Sequence, residues 1–167
     1  MGLLGTARLA FLLFWSAYVG GALVALFGSA FQPLRRRARE FGLAFAVVLS
    51  VHLGLVAWLC LIGAVPSTKT FVLFGTAAVW VYLLALFSIN GLQHRLGPMG
   101  WWVLRAIGMN FVAYAFAKDF FRNGLAGGIA NVVLYWPFAA LAVIGPGLRL
   151  AAAAQRVGRE YTKVARQ

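Results

Sequence analysis

Five long runs of apolar residues dominate this sequence, and each is long enough to cross a lipid bilayer. A hydrocarbon core about 30 Å thick takes about 20 residues of helix. The runs cover residues 9–31, 41–65, 71–90, 101–121 and 129–150. They are separated by short segments that contain proline, glycine or charge, as turns require. Because backbone polar groups in lipid must be satisfied within their own segment, we predict an all-α integral membrane bundle of five transmembrane helices.

The composition of the 167 residues leaves few alternatives to a membrane protein. Hydrophobic residues make up 63% of the chain and charged residues 11%, whereas soluble domains have about 45–50% and roughly 25%. The single cysteine excludes a disulfide scaffold. A transmembrane β-barrel would need segments of about ten residues with alternating polarity, and the runs here lack that alternation. We therefore predict one transmembrane domain over residues 1–150 and a multi-pass protein.

The first run has an alternative interpretation as a cleaved signal peptide with Arg8 as its basic flank. Signal peptides have an apolar core of about 7–15 residues. The apolar stretch from Leu9 to Phe31 is longer than that. The prediction is that the first run is retained as a span.

The positive charge of the chain, formally +12, is divided unequally between the two predicted sides. With five spans, four basic residues fall on the side of the N-terminus, ten fall on the other side, and Arg105 lies within the fourth span. The four are Arg8, Lys69, Lys118 and Arg122, and the ten are Arg35, Arg36, Arg37, Arg39, Arg95, Arg149, Arg156, Arg159, Lys163 and Arg166. Because basic residues concentrate on the cytoplasmic side, we predict an outside N-terminus and a cytoplasmic C-terminus in the inner (plasma) membrane.

The segment at 151–167 is predicted to be a basic cytoplasmic tail that continues the last helix. It is too short to form a nucleotide- or flavin-binding domain, and neither a GxGxxG nor a P-loop pattern occurs in the chain. Nucleic-acid binding would need a basic patch on a folded soluble module, so no nucleic-acid partner is predicted. The predicted partners are the lipid bilayer and, for any redox activity, a separate redox protein chain or a quinone.

His52 is the residue in the apolar runs with the clearest chemical potential. It lies about midway along the second run, on a helical face with Val48, Leu55 and, a turn further, Phe45. Polar groups at that depth are costly and usually serve a function, and a neutral imidazole can ligate haem iron. The alternative is a hydrogen bond from His52 to a neighbouring helix. The sequence alone leaves both interpretations open.

The other polar residues are best explained by structural roles. His94 lies in a loop beside Arg95, and Cys60 is a lone thiol in an apolar span that packs as a small hydrophobe. In the fourth run, Arg105 is expected to reach the interface with its long side chain. Asn110 is expected to bond a neighbouring helix, and Lys118 and Asp119 to pair or to reach head groups.

Two stretches resemble the ferric-reductase-like transmembrane domain family of haem-b membrane proteins, which includes the membrane subunit of the bacterial methionine-sulfoxide reductase system. The first is FGLAFAVVLSVHLGL (Phe41 to Leu55), with basic residues before it. The second is LFSINGLQHRLGPMGWWVL (Leu86 to Leu104), with RLGP followed by W-x-x-L. The resemblance extends over about two-thirds of the chain, from Arg37 to about Leu150.

The resemblance implies a bundle that holds haem b between helices through histidines and transfers electrons across the membrane. His52 stands where the first of these histidines is expected. The next two expected positions are occupied by Arg105 and Lys118. A protonated guanidinium or ammonium group has no lone pair for iron, so the resemblance is that of a divergent member that lacks two of the expected ligands.

Three functions are compatible with the sequence. The first is a haem-dependent membrane oxidoreductase that transfers electrons, with His52 as a haem ligand. The second is a haem-free scaffold or partner-binding subunit on the same bundle. The third is a small transporter, which would need a polar pathway with several charges inside the membrane.

Overall fold

The computed structural model describes residues 2–89, 91–126 and 128–164. Over these ranges the chain forms α-helices and no strand, which confirms the all-α prediction. The helices are α1 (Gly2–Phe27), α2 (Gln32–Arg36), α3 (Ala38–Leu61), α4 (Thr68–Ile89), α5 (Gly97–Leu125) and α6 (Gly128–Val164). Short 3₁₀ turns at Ser29–Phe31 and Leu92–His94 complete the connections.

Glycine and proline mark the points where the long helices begin and end. α1 stops before Gly28 and α3 shortly before Gly63, with φ values of 84° and 85°. These values lie in the left-handed region, which glycine adopts without steric cost. Pro98 lies in the first turn of α5, where its missing N–H would have no helical partner anyway.

The connections contain more helix than the sequence indicated. The segment QPLRRRARE, predicted to be a break, includes the five-residue helix α2, which has Pro33 in its first turn. α6 continues past residue 150 to Val164, in accord with the predicted helical extension of the last span. Asn90, the predicted end of the third span, and Arg166 of the tail lie outside the described residues.

Four of the described helices, α1, α3, α4 and α6, are long and apolar enough to cross a membrane. α5 has 29 residues but does not meet the same standard of hydropathy, because it carries Arg105, Lys118, Asp119 and Arg122. The apolar criterion therefore identifies four of the five predicted spans.

The five long helices form a ring in the order α1, α3, α4, α5, α6, with α6 returning to α1. From α1 to α6, each helix runs antiparallel to the one before it. Phe14 packs on Phe45, and Thr6 contacts His52. Residues later in α1 therefore contact residues earlier in α3, as in an antiparallel pair. Gly108 lies against Trp80 and Leu84, and Arg122 donates to Thr70. These contacts show that α4 and α5 are antiparallel as well.

α1 and α6 close the ring as parallel neighbours. The Arg8 guanidinium donates to the Leu134 carbonyl at 3.4 Å, and the Trp15 indole donates to the Leu141 carbonyl at 2.8 Å. Both donors and both acceptors are seven residues apart, which is two helical turns. α6 also contains Pro137 and Pro146. Each proline leaves the carbonyl four residues earlier, that of Val133 or Ala142, without its helical donor, and these two carbonyls are next in sequence to the two acceptors.

Phenylalanine side chains fill the centre of the helix bundle. Phe11 on α1 is 1% exposed and makes edge contacts with Phe116 and Phe120 of α5 and Phe138 of α6. Phe45 of α3 joins the same cluster through Phe116. The outward faces are apolar too, with Leu61 83% exposed and Ile129 84% exposed. Such extensive exposed apolar surface fits a lipid environment.

Candidate ligand cavity at His52

A cavity of about 300 Å³ lies between α1, α3, α4 and α5, in the half of the bundle that contains the N-terminus of α1. It runs inward from Leu3 and Pro66 to Val81 and Val112. Most of its lining is apolar, and its volume is at the lower end of the range for small-molecule sites. No pattern in the sequence indicates this cavity, because it depends on the distance between α4 and α1.

His52 lines this cavity from α3, within one turn of the middle of that helix. Phe45, on the helical face that the sequence groups with His52, also lines the cavity. Val48 and Leu55, which share that face, do not line it, whereas their neighbours Leu49 and Val56 do.

The imidazole of His52 is hydrogen-bonded to α1. Its Nδ1 lies 2.9 Å from the hydroxyl oxygen of Thr6. The same hydroxyl is within hydrogen-bond distance of the Gly2 and Leu3 carbonyls, at 2.9 and 3.1 Å. A hydroxyl has one proton to donate. When that proton goes to a carbonyl, Nδ1–H is the donor to Thr6 and the lone pair resides on Nε2.

Five further polar side chains line the cavity, two of them charged. They are Arg8 from α1, Thr70 from α4, Asp119 and Asn123 from α5, and Tyr135 from α6. The Arg8 guanidinium lies over the rings of Tyr135 and Phe138, at 5.8 and 5.3 Å, and its Nε is buried without a hydrogen-bond partner. Asn123 donates to Asp119 Oδ1 at 3.0 Å. The cavity thus combines an apolar floor with a cation, a carboxylate and an imidazole.

The two cations at the expected histidine positions do not line this cavity. Lys118 is exposed and lies over the Tyr114 ring at 5.8 Å, whereas the adjacent Asp119 faces inward. The two side chains therefore point to different faces and do not form the pair considered from the sequence. Arg105 is exposed and lies near the start of α5, on the opposite half of the bundle.

The remaining candidates lie apart from His52. His94 follows Gly91 in the turn between α4 and α5, and it lines a separate small pocket with Trp101 and Pro98 at the other end of the bundle. Cys60 is a free, partly buried thiol near the end of α3. Asn110 accepts a hydrogen bond of 2.6 Å from the Tyr18 hydroxyl, as expected for a residue that bonds a neighbouring helix.

The residues around His52 do not supply the ligand set that the resembled family uses for haem. The chain has two histidines; His52 is close to the middle of α3, and His94 lies in the turn between α4 and α5. Among the side chains that line the cavity, Tyr135 is the other one with an oxygen ligand known from haem proteins. The described residues also contain no group of three or more His, Cys, Asp or Glu side chains that could hold a metal ion.

Comparisons with protein-family models, with curated protein sequences and with solved structures find no match for this chain. The similarity to the ferric-reductase-like domain therefore remains a prediction from the two stretches that carry it.

Proposed function

We propose that this chain is a multi-pass protein of the inner (plasma) membrane with five spans, an outside N-terminus and a cytoplasmic C-terminus. The alternating directions of the helices support the fifth span. α4 and α6 run in the same direction in one ring, so the chain between them must return across the bundle, and α5 is that return. The charged side chains of α5 lie where a transmembrane helix can accommodate them. Asp119 faces a cavity, Lys118 lies near one end, and Arg105 lies near the other.

Labelling of single cysteines tests this topology. In a Cys60→Ser background, we expect Ala64→Cys and Leu125→Cys to react with a membrane-impermeant maleimide in intact cells. Met99→Cys and Ala154→Cys should react only after permeabilisation. All four positions are exposed. Equal accessibility of residues 99 and 125 would show that α5 does not cross, and the inverse pattern would reverse the orientation.

We further propose that the bundle functions without haem, as a scaffold or partner-binding membrane subunit. The observation that carries this proposal is that His52 is the one histidine lining the cavity, and that Arg105 and Lys118, at the expected histidine positions, do not line it. The hydrogen bond between His52 and Thr6 gives His52 a structural role, that of holding α1 to α3. Such bonds between transmembrane helices are worth about 0.6 kcal/mol on average and up to about 1.7 kcal/mol.

A double-mutant cycle tests that structural role. We expect Thr6→Val and His52→Leu each to lower the free energy of unfolding by about 0.5–1.5 kcal/mol. Because both changes remove the same bond, the double variant should lose less than the sum of the two. Strictly additive losses, measured by denaturant titration in micelles, would contradict the proposal.

Haem-b binding through His52, with membrane electron transfer as the activity, is the second candidate function. The position of His52 on the cavity wall, with Tyr135 on the same cavity, favours it. An absorption spectrum of protein purified from haem-supplied cells distinguishes the two candidates. The haem-free proposal expects no Soret band. A stoichiometric band that disappears in His52→Ala, but persists in His94→Ala, would establish the haem function instead.

A further inference from the structure

The polar side chains of the His52 cavity are gathered toward one end of it. Arg8 and Asp119 are each six residues from a helix end, at the start of α1 and at the end of α5. Thr70 lies in the first turn of α4 and accepts a hydrogen bond from Arg122 of α5. At 1.5 Å per residue, these positions are within about 9 Å of the ends of their helices. The other end of the cavity, formed by residues within 74–81 of α4 and 112–116 of α5, is apolar.

Three acceptor atoms of the lining residues are unused. The Nδ1 of His52 is bonded to Thr6, and Asp119 Oδ1 accepts from the amide of Asn123. The Nε2 of His52, the Oδ2 of Asp119 and the Oδ1 of Asn123 have no hydrogen-bond partner among the described residues, and none of them is fully buried. Because unpaired acceptors in apolar surroundings are costly, a ligand with several N–H donors would be stabilised here.

The Arg8 guanidinium supplies a positive charge at the same end of the cavity. Its Nε is buried, and its Nη2 donates to the Leu134 carbonyl at 3.4 Å. Its Nη1 has no hydrogen-bond partner among the described residues and is not fully buried, so Nη1 is the donor that a ligand can reach. The lining of the cavity therefore carries one positive charge, on Arg8, and one negative charge, on Asp119.

The cavity is open to the lipid-facing surface of the bundle. Three of the residues that line it, Leu4, Phe71 and Gly75, are exposed. The head-group region of a bilayer is about 5–8 Å thick on each side of the hydrocarbon core, and Arg8 and Asp119 lie at a comparable depth from their helix ends. A lipid that enters from the membrane would thus place its head group at the polar end and its chain at the apolar end.

We propose that this cavity binds phosphatidylethanolamine, a phospholipid whose head group has both a phosphate and a primary ammonium. The ammonium has three N–H donors, for the free acceptors of His52, Asp119 and Asn123. The phosphate accepts from Arg8, since guanidinium groups form strong charge-assisted bonds with phosphate oxygens. One acyl chain occupies the apolar end. The site rests on the proposed membrane location and on a cavity free of haem.

Lipid-dependent thermal stability of the purified full-length protein tests the proposal. Detergent-solubilised protein receives phosphatidylethanolamine or phosphatidylcholine with identical acyl chains, and Tm is followed against lipid concentration. Phosphatidylcholine has the same charges, but its trimethylated nitrogen has no N–H donor. Because a ligand that binds the folded state raises Tm, phosphatidylethanolamine should raise it by several degrees more. In Asp119→Asn, the apparent affinity for phosphatidylethanolamine should fall about tenfold or more, as for a lost charge-assisted contact.

Glu40→Gln is the matched control, because it removes the same charge from an exposed position on α3 that does not line the cavity. It should keep the wild-type affinity. Equal effects of the two lipids, or equal losses in Asp119→Asn and Glu40→Gln, would overturn the site.

A second pair of variants tests the apolar end and covers the case in which Asp119→Asn does not fold. Gly75 lines the cavity, Gly54 does not, and a Cβ atom at either position would meet nothing within 4 Å. Gly75→Leu narrows the space for the acyl chain, so it should weaken phosphatidylethanolamine binding about tenfold relative to Gly54→Leu. Equal affinities in these two variants would also overturn the site.

A soluble analogue separates a lipid from a free amine. O-phosphoethanolamine alone should leave Tm unchanged at concentrations where phosphatidylethanolamine acts, because it has no acyl chain. A rise equal to that with the lipid would reassign the cavity to a soluble amine and overturn the lipid assignment. Failure of the proposed function has different signatures. A Soret band would reveal haem in the cavity, and inverted cysteine labelling would leave the preference for phosphatidylethanolamine intact.

Discussion

Replacing Phe11 with alanine is expected to lower the free energy of unfolding by about 4 kcal/mol. Lipid is as apolar as the bundle interior, so the loss comes from packing instead of transfer to water. The substitution removes about 100 Å³ of side chain, which at about 24 cal/mol per Å³ of cavity costs about 2.4 kcal/mol. Three aromatic contacts, each worth about 0.5–1.5 kcal/mol, are lost as well.

Phe27→Ala is the control for this prediction. Phe27 ends α1, is 61% exposed, and makes an aromatic contact with the nearby Phe31. Its truncation should cost about 1 kcal/mol, because it leaves no buried cavity and removes one aromatic contact instead of three. Unfolding by sodium dodecyl sulfate titration in mixed micelles measures both variants. Similar losses in the two would mean that the phenylalanine cluster does not hold the bundle together.

Replacing Gly108 with valine is expected to separate α4 from α5 at their point of closest approach. A Cβ atom at this position would lie 3.0 Å from Leu84 Cδ1 and 3.1 Å from Trp80 Cε3. Small residues let transmembrane helices approach closely, and a branched side chain here adds two more carbons to an already tight contact. Overpacking of this kind costs about 1–3 kcal/mol.

Gly54→Val isolates the packing contribution, because both glycines lie inside helices and undergo the same change in helix propensity. A Cβ atom at Gly54 would meet nothing within 4 Å. The free energy of unfolding of Gly54→Val should therefore stay above that of Gly108→Val by the overpacking cost. Equal stabilities in the same micelle titration would show that the α4–α5 contact tolerates a larger side chain.

The positions of the helices follow from local sequence, whereas the choice of which helices pack together does not. Long uncharged runs make the helical state nearly obligatory, so α1, α3, α4 and α6 could be located from residue type alone. The five residues of α2 were missed because a short arginine-rich segment next to a proline has the composition of a turn. That α1 packs against both α3 and α6 depends on side-chain shape across the bundle, which no local pattern carries.

The residues of the candidate cavity also divide into those that local sequence identifies and those that it does not. His52 could be singled out because an imidazole in an apolar run is conspicuous. Thr6, Arg8 and Tyr135 could not be associated with it, since they come from distant parts of the chain that only the ring order brings together. From the sequence, Asp119 is expected to pair with Lys118 or to reach head groups, whereas its inward orientation depends on the rotation of α5.

The parallel contact between α1 and α6 has a consequence for the biogenesis of the protein. Arg8 and Trp15 find their partners 126 residues downstream. At about 5–20 residues per second of synthesis, the ribosome makes those partners roughly 6–25 s after α1. Until then, the guanidinium of Arg8 and the indole of Trp15 lack these acceptors. Closure of the ring is therefore the last step of assembly, and a chain without α6 leaves the bundle open between α5 and α1.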